Sequence, residues 1–259
     1  MRVTMIARTR FNEEVAEDLT KWEPDGSATD AASLSEFAGR ACYQSWDKPN
    51  PGTRWNTDYL AHILEVGHLS VLEHGTATFY IEDVSRSLTH ELVRHRHMSP
   101  SQLSQRYHHL GWHTKPVVPP LYRAVWEDEG DLTRVILEKA WGSALDSYDQ
   151  LVRIWERRLL DASGLSKLDT SMRKQAREAA RCVLPNMTPT AVVLSGNHRT
   201  WRHFLRLRGS LHADAEIRGL ALEIHRWLES TEPALYQDFK TMTDPGNRVY
   251  LECTTPADE

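Results

Sequence analysis

Polar and apolar residues alternate through RVTMIA (residues 2–7), a period of two that predicts an opening strand. From Asp30 to Trp46 the period lengthens: Leu34, Phe37, Ala38, Ala41 and Cys42 form a helical stripe. The proline and glycine of DKPNPGTR (47–54) predict a turn, after which Asn56 is expected to cap a helix bearing Tyr59, Leu60, Ile63 and Leu64, with Gly67 as its stop. TATFYIEDV (76–84) alternates again and predicts a strand, and Ser85 is placed to cap a helix running to about Arg94. Pro100 ends any helix, so SPSQLSQRY is expected to start as a loop. Prolines 116, 119 and 120 keep the next stretch extended.

A long helical pattern covers Leu132 to Leu160, with Asp131 as cap and Gly164 beyond its end. A second helix runs from about Thr170 to Val183, TAVVLS (190–195) reads as a buried strand, and further helices are expected near 199–208 and 213–230. There is no internal repeat and no linker composition. The pattern predicts an α/β fold: one mixed domain over 1–259, with a central sheet flanked by helices, a helical insert at about 131–183 and a polar tail at about 240–259.

Composition narrows the function. The chain has 259 residues, a net charge of -5, 26% charged residues and a mean hydropathy of -0.54, an acidic balance that argues against a general nucleic-acid binder. No run approaches the ~20 apolar residues of a membrane span, and the start turns charged too soon for a signal peptide. Cys42, Cys182 and Cys253 form no CxxC pair. They predict free thiols in a reducing cytoplasm, each a small buried apolar residue.

Against this acidic background, charge is distributed unevenly. After Glu91 no acid occurs until Glu127, yet Arg94, Arg96, Arg106, Lys115 and Arg123 fall in between. Glu178 to Asp214 is a second acid-free span, holding Arg181, Arg199, Arg202, Arg206 and Arg208. Crowded guanidiniums repel unless an anion lies among them, so the two spans together predict a cationic cleft for phosphates. Arg199, Arg202 and Arg206 recur at helical spacing and are expected on one face. Taken singly, each arginine is more simply a solvated helix residue.

Three chemistries compete for the cluster THELVRHRHMSPSQLSQRY (89–107). One is an enzyme acting on a nucleotide, with arginine clamps and Ser99, Ser101 and Ser104 as hydroxyl donors. Another is a metal site on His95 and His97, disfavoured because flanking arginines repel a cation and no HExxH is present. The last is RNA binding with Tyr107 and Trp112 for stacking. Ser104 has no base beside it in sequence, which favours phosphate binding over nucleophilic attack. His68 and Glu73 carry no claim alone. GxGxxG and GxxxxGK[ST] are both missing.

The run RHRHMSPSQLS, in which Arg94-His95-Arg96 is followed by seven residues and then Ser104, resembles the signature of the flavin-dependent thymidylate synthases. The likeness extends to GHLSVLEH before it and to RCVLP, SGNHRTWRHFLRLR and HADAEI after it, in order, over most of Asn56 to Leu228. It implies a largely antiparallel sheet and a cytoplasmic homotetramer with active sites at subunit interfaces. The implied reaction is reductive methylation of deoxyuridylate (dUMP) to thymidylate, with 5,10-methylenetetrahydrofolate as carbon donor and NADPH as hydride donor through FAD.

By position, the resemblance assigns Glu91, Leu92, Val93 and Arg94 to the dUMP site, then Gln102, Leu103, Ser104, Gln105 and Arg106, with Arg181 as a further contact. Arg208 is implied to face the pyrimidine and stabilise negative charge on it. FAD is implied to meet Ser70, Arg94, His95, Arg96 and Gln102, then Asn197, His198, Arg199 and His203, with His68 and Glu73 close by. No metal is implied, and neither nucleic acid nor a membrane is an implied partner. Glu91, Gln105 and His203 fall where members vary, and an acid at 91 suits an arginine partner better than a phosphate.

Overall fold

The computed structural model describes residues 1–46, 50–123 and 125–255. The chain is a mixed α/β fold. In order, its elements are β1 (Arg2–Arg8), α1 (Glu13–Thr20), α2 (Asp30–Tyr43), α3 (Asn56–Val66), β2 (Thr76–Ser85), α4 (Arg86–Leu92) and β3 (Ser99–Gln102). After these come α5 (Leu132–Ser163), α6 (Thr170–Ala180), β4 (Pro189–Asn197), α7 (His198–Arg208), α8 (Ala215–Thr231), α9 (Pro233–Tyr236), β5 (Phe239–Thr243) and β6 (Val249–Cys253). Four strands form a sheet in the order β1-β2-β4-β3, and β5 pairs antiparallel with β6. At one end of β2 the His198 amide donates to the Gly75 carbonyl, and at the other the Arg86 amide donates to Thr188. These crossed partners make β2 and β4 antiparallel. β4 buries every second residue, as its sequence alternation requires.

Contacts divide the chain into two compact units. The first comprises 1–81, 92–100 and 193–259. Its core holds Phe79, Leu194, Trp201, Phe204 and, from α8, Ile217, Leu220, Ile224 and Leu228, all buried. Trp201 meets Phe79 edge-on at 5.0 Å and donates its indole N–H to the Ala77 carbonyl at 3.1 Å, which fixes α7 to β2. The second unit comprises 82–91 and 101–192. There α5 packs on α6 around Leu110, Trp141, Leu145, Tyr148, Val152 and Ala180.

Several expectations change. Asn56 is the first residue of α3, not its cap; its buried amide donates to the Ala32 carbonyl and Glu36. α4 stops at Leu92, though Ser85 does accept from the Leu88 amide as a cap should. The expected loop after Met98 opens as strand β3; of the polar tail expected at about 240–259, residues 256–259 lie outside the described residues and most of the rest belongs to the β5–β6 hairpin. Asp244-Pro245-Gly246-Asn247 between FKTMT and VYLEC was the sequence signal for that hairpin. Of the turn expected at 47–54, residues 47–49 lie outside the described residues, and Pro51–Thr53 form a short 3-10 turn. The cysteines are not buried: Cys42 and Cys182 are exposed and Cys253 is half-buried. No helix is long and apolar enough to cross a membrane.

Candidate active site

α7 builds one wall of a large cavity in the first unit. The Asn197 side chain caps it, accepting from the Thr200 amide at 2.8 Å. Arg199, His203 and Leu207 then recur every fourth residue and line the cavity together with Arg208. The buried side of the helix carries Trp201, Phe204 and Leu205, with His198 and Arg202 as its polar members. The expectation that Arg199, Arg202 and Arg206 share a cationic face is therefore corrected. Arg202 is 1% exposed and pairs with Asp238, while Arg206 donates to the Thr255 hydroxyl at 2.8 Å.

The residues from Arg94 to His97 supply the other side of this cavity, which encloses about 780 Å³. A tight turn, closed by the His95 amide donating to Leu92 at 3.1 Å, sends Arg94 and Arg96 outward and His95 inward. The acid-free spans around positions 94–97 and 197–208 thus converge. Among the described residues neither Arg94 nor Arg96 has a carboxylate partner. Arg199 does: Glu73, also in the lining, meets it at 2.6 Å. Both side chains are more than 40% exposed, so this pair is worth at most ~1 kcal/mol. Arg208 Nε donates to His95 Nε2 at 3.0 Å. Burial, then the Arg208 charge, then His203, push the His95 pKa down to about 4, so the imidazole is neutral near pH 7.

A smaller cavity of about 340 Å³ lies in the second unit, lined by Arg86, His90, Gln105, Glu178, Arg181 and Asn186, among others. Here too the two acid-free spans meet, through Gln105 and Arg181. Burial, and then the nearby Arg181 charge, lower the Arg86 pKa. Two guanidiniums this close, with no acid paired to either among the described residues, favour a bound anion. Arg106 is neutralised from outside its own span, its Nε lying 2.6 Å from Glu178. That N–H is not aligned for a hydrogen bond, so the contact is an ion pair only. Arg86 escaped sequence reasoning because it precedes Glu91, outside the acid-free span, and nothing in its spacing marks it.

The remaining expected residues are placed less tellingly. His68 and Ser70 are exposed around the 3-10 turn Leu69–Glu73 and are not in the cavity lining. His198 is wholly buried, its Nδ1 bonded to the Tyr236 hydroxyl at 2.8 Å, so its side chain faces the core and not the cavity. Leu92 is buried and Val93 exposed. Gln102 spends its amide on Thr89 and Thr190, at 2.9 and 3.4 Å. The Leu103 amide donates to Ala191. The Ser104 carbonyl accepts from Tyr107 and His108 in a turn that carries Gln105 and Arg106. Glu91 lies in the last turn of α4, half-buried. Among the described residues no group of three His, Cys, Asp or Glu could hold a metal ion.

Residues 26–234 match the family described as thymidylate synthase complementing protein. A flavin-dependent thymidylate synthase of Mycolicibacterium vanbaalenii is 49% identical over 240 residues, 93% of this chain and 90% of that protein. The flavin-dependent thymidylate synthases of Mycobacterium marinum and Mycobacterium tuberculosis strain H37Rv are each 48% identical over 243 residues, 94% of this chain and 91% of theirs. The chain belongs to the flavin-dependent thymidylate synthase family, and it is an enzyme. The larger cavity suits an anionic group such as a phosphate of a flavin cofactor, because Arg94 and Arg96 bring charge that no carboxylate in the described residues neutralises. Its volume also falls in the range of cofactor sites, ~300–1,000 Å³.

Proposed function

We propose that this enzyme converts deoxyuridylate to thymidylate, taking its carbon from 5,10-methylenetetrahydrofolate and its hydride from NADPH by way of FAD. The observation that carries this reading is the meeting of Arg94, His95 and Arg96 with Asn197, Arg199, His203 and Arg208 around one cavity. Arg94, Arg96 and Arg199 hold the flavin's phosphates, with Asn197 and His203 beside them, and Ser70 and His68 approach from the neighbouring turn. Bound there, flavin supplies the redox step that completes the methyl group.

The nucleotide phosphate is held by Arg86 and Arg181, assisted by Ser104, Gln105 and Arg106. Glu91 to Arg94 and Gln102 complete the nucleotide's surroundings. Arg208, from whichever subunit completes the site, faces the pyrimidine, where its fixed positive charge stabilises negative charge on the ring and makes C5 nucleophilic. The enzyme works as a cytoplasmic homotetramer, with subunits completing one another's sites.

A thymidylate assay with and without added FAD, run beside a native mass determination, tests the reading. The expected result is a yellow protein of four-chain mass that forms thymidylate and oxidises NADPH faster when deoxyuridylate is present. A colourless protein that forms no thymidylate even with FAD overturns it.

A further inference from the structure

The guanidinium of Arg208 is gripped by a histidine that cannot be charged while it grips. Arg208 Nε carries a hydrogen and donates it to His95 Nε2 at 3.0 Å. An Nε2 that accepts has no proton of its own, which fixes His95 as the Nδ1–H tautomer. The ring itself has little freedom: it is 9% exposed, meets Phe204 edge-on at 5.1 Å and faces His203 at 6.1 Å. Its backbone is pinned by the bond to Leu92. The charged or titratable groups facing it are Arg208 and His203, both cationic when ionised. A proton on Nε2 would abolish the acceptor and set two cations against each other.

We propose that His95 is the positioning residue for Arg208, a neutral acceptor that sets the plane of the guanidinium before substrate arrives. An arginine side chain has many rotamers, and charge stabilisation depends on donors already fixed in place. Holding Nε leaves the Nη1–Nη2 edge as the part His95 does not engage. This role rests on Arg208 acting at the pyrimidine, as proposed above, and it differs from a flavin contact because it acts through another side chain.

The test uses the flavin-loaded enzyme and four variants: His95→Phe, which keeps the ring packing and removes the acceptor; His95→Gln, whose amide oxygen can accept; Arg208→Lys; and His95→Phe combined with Arg208→Lys. We would measure kcat and the KM for deoxyuridylate, flavin content by absorbance, and folding by circular dichroism. His95→Phe should lower kcat at least tenfold with KM changed less than threefold and flavin retained. His95→Gln should recover most of that loss. In the Arg208→Lys background, His95→Phe should cost less than twofold, because an ammonium has no Nε–H to hold. Should His95→Phe not fold, His95→Leu takes its place.

Equal losses in the Phe and Gln variants would overturn the inference, as would a full His95→Phe loss in the Arg208→Lys background or a loss cured by saturating FAD. Near-normal turnover in Arg208→Lys would instead remove the role given to Arg208 itself, and the role of His95 with it.

Discussion

Arg202 and Asp238 form a buried two-armed ion pair behind the helix that carries Arg199, His203 and Arg208, with Nη1 and Nη2 at 2.7 and 2.5 Å from the two carboxylate oxygens. Arg202 also donates to the Leu235 carbonyl at 2.6 Å and lies 5.0 Å from the centre of the Phe239 ring. One face of α7 serves the cavity while the other is bolted to the start of β5. Removing one partner of such a pair strands a buried charge, which costs ~3–5 kcal/mol. Asp238→Ala should lower the unfolding free energy by that order in urea titrations. A change under ~1 kcal/mol would show that the pair does not anchor the helix.

Gly209, directly after Arg208, sits where no side chain fits. An added Cβ would lie 2.5 Å from the Leu205 carbonyl oxygen and 2.8 Å from Leu251. The Gly209 amide and carbonyl are themselves committed, to Leu205 and to the Leu251 amide, both at 2.8 Å. Backbone must therefore shift, and overpacking of this kind costs ~1–3 kcal/mol or more. Gly209→Ala should lower the melting temperature and reduce kcat more than it raises the KM for deoxyuridylate, since Arg208 moves with the helix end. An alanine variant with unchanged melting temperature would refute the contact.

Stability should fall with acid in two stages. His95 and His198 are both pushed from 6.5 to about 4, by burial first in each case. A histidine depressed in the fold favours the folded state fully above its unfolded pKa, and that contribution is lost as pH drops from about 6.5 toward 4. Asp238 follows later. Burial opposes its ionisation, but the Arg202 hydrogen bonds and charge prevail and hold it at about 2, so its share is lost between about 3.8 and 2. Glu232, raised by burial, has the opposite sign and softens the first stage. The urea midpoint should therefore decline from pH 6.5 to 5. A flat midpoint across that window would contradict the neutral buried histidines.

Arg86 and Arg181 should stand or fall together in nucleotide binding. Hydrogen bonds to charged groups contribute ~1.5–3 kcal/mol, so Arg86→Ala should weaken deoxyuridylate affinity by roughly tenfold to a hundredfold, read by calorimetry. Lysine at the same position should restore part of it, since a point charge replaces the fork incompletely. Phosphate should raise the melting temperature of the parent more than that of Arg86→Ala. An alanine variant that binds the nucleotide normally would exclude Arg86 from the site.

The sequence by itself determined the main elements, because strands of period two and helices of period 3.6 are local facts. α2, α3, β2, α5, α6, β4, α7 and α8 all lie close to where the pattern puts them. It also singled out Arg94 to Arg96 and the 197–208 stretch, since a charge gap can be read without coordinates. Tertiary structure alone decided which arginines meet an acid. Glu73, Glu178 and Asp238 reach Arg199, Arg106 and Arg202 from outside the two acid-free spans, whereas Arg94, Arg96, Arg86 and Arg181 meet no such acid among the described residues. Only the fold, likewise, could put His95 against Arg208 across 113 positions, because charge compensation and hydrogen bonding depend on distance in space, and distance along a chain does not fix it.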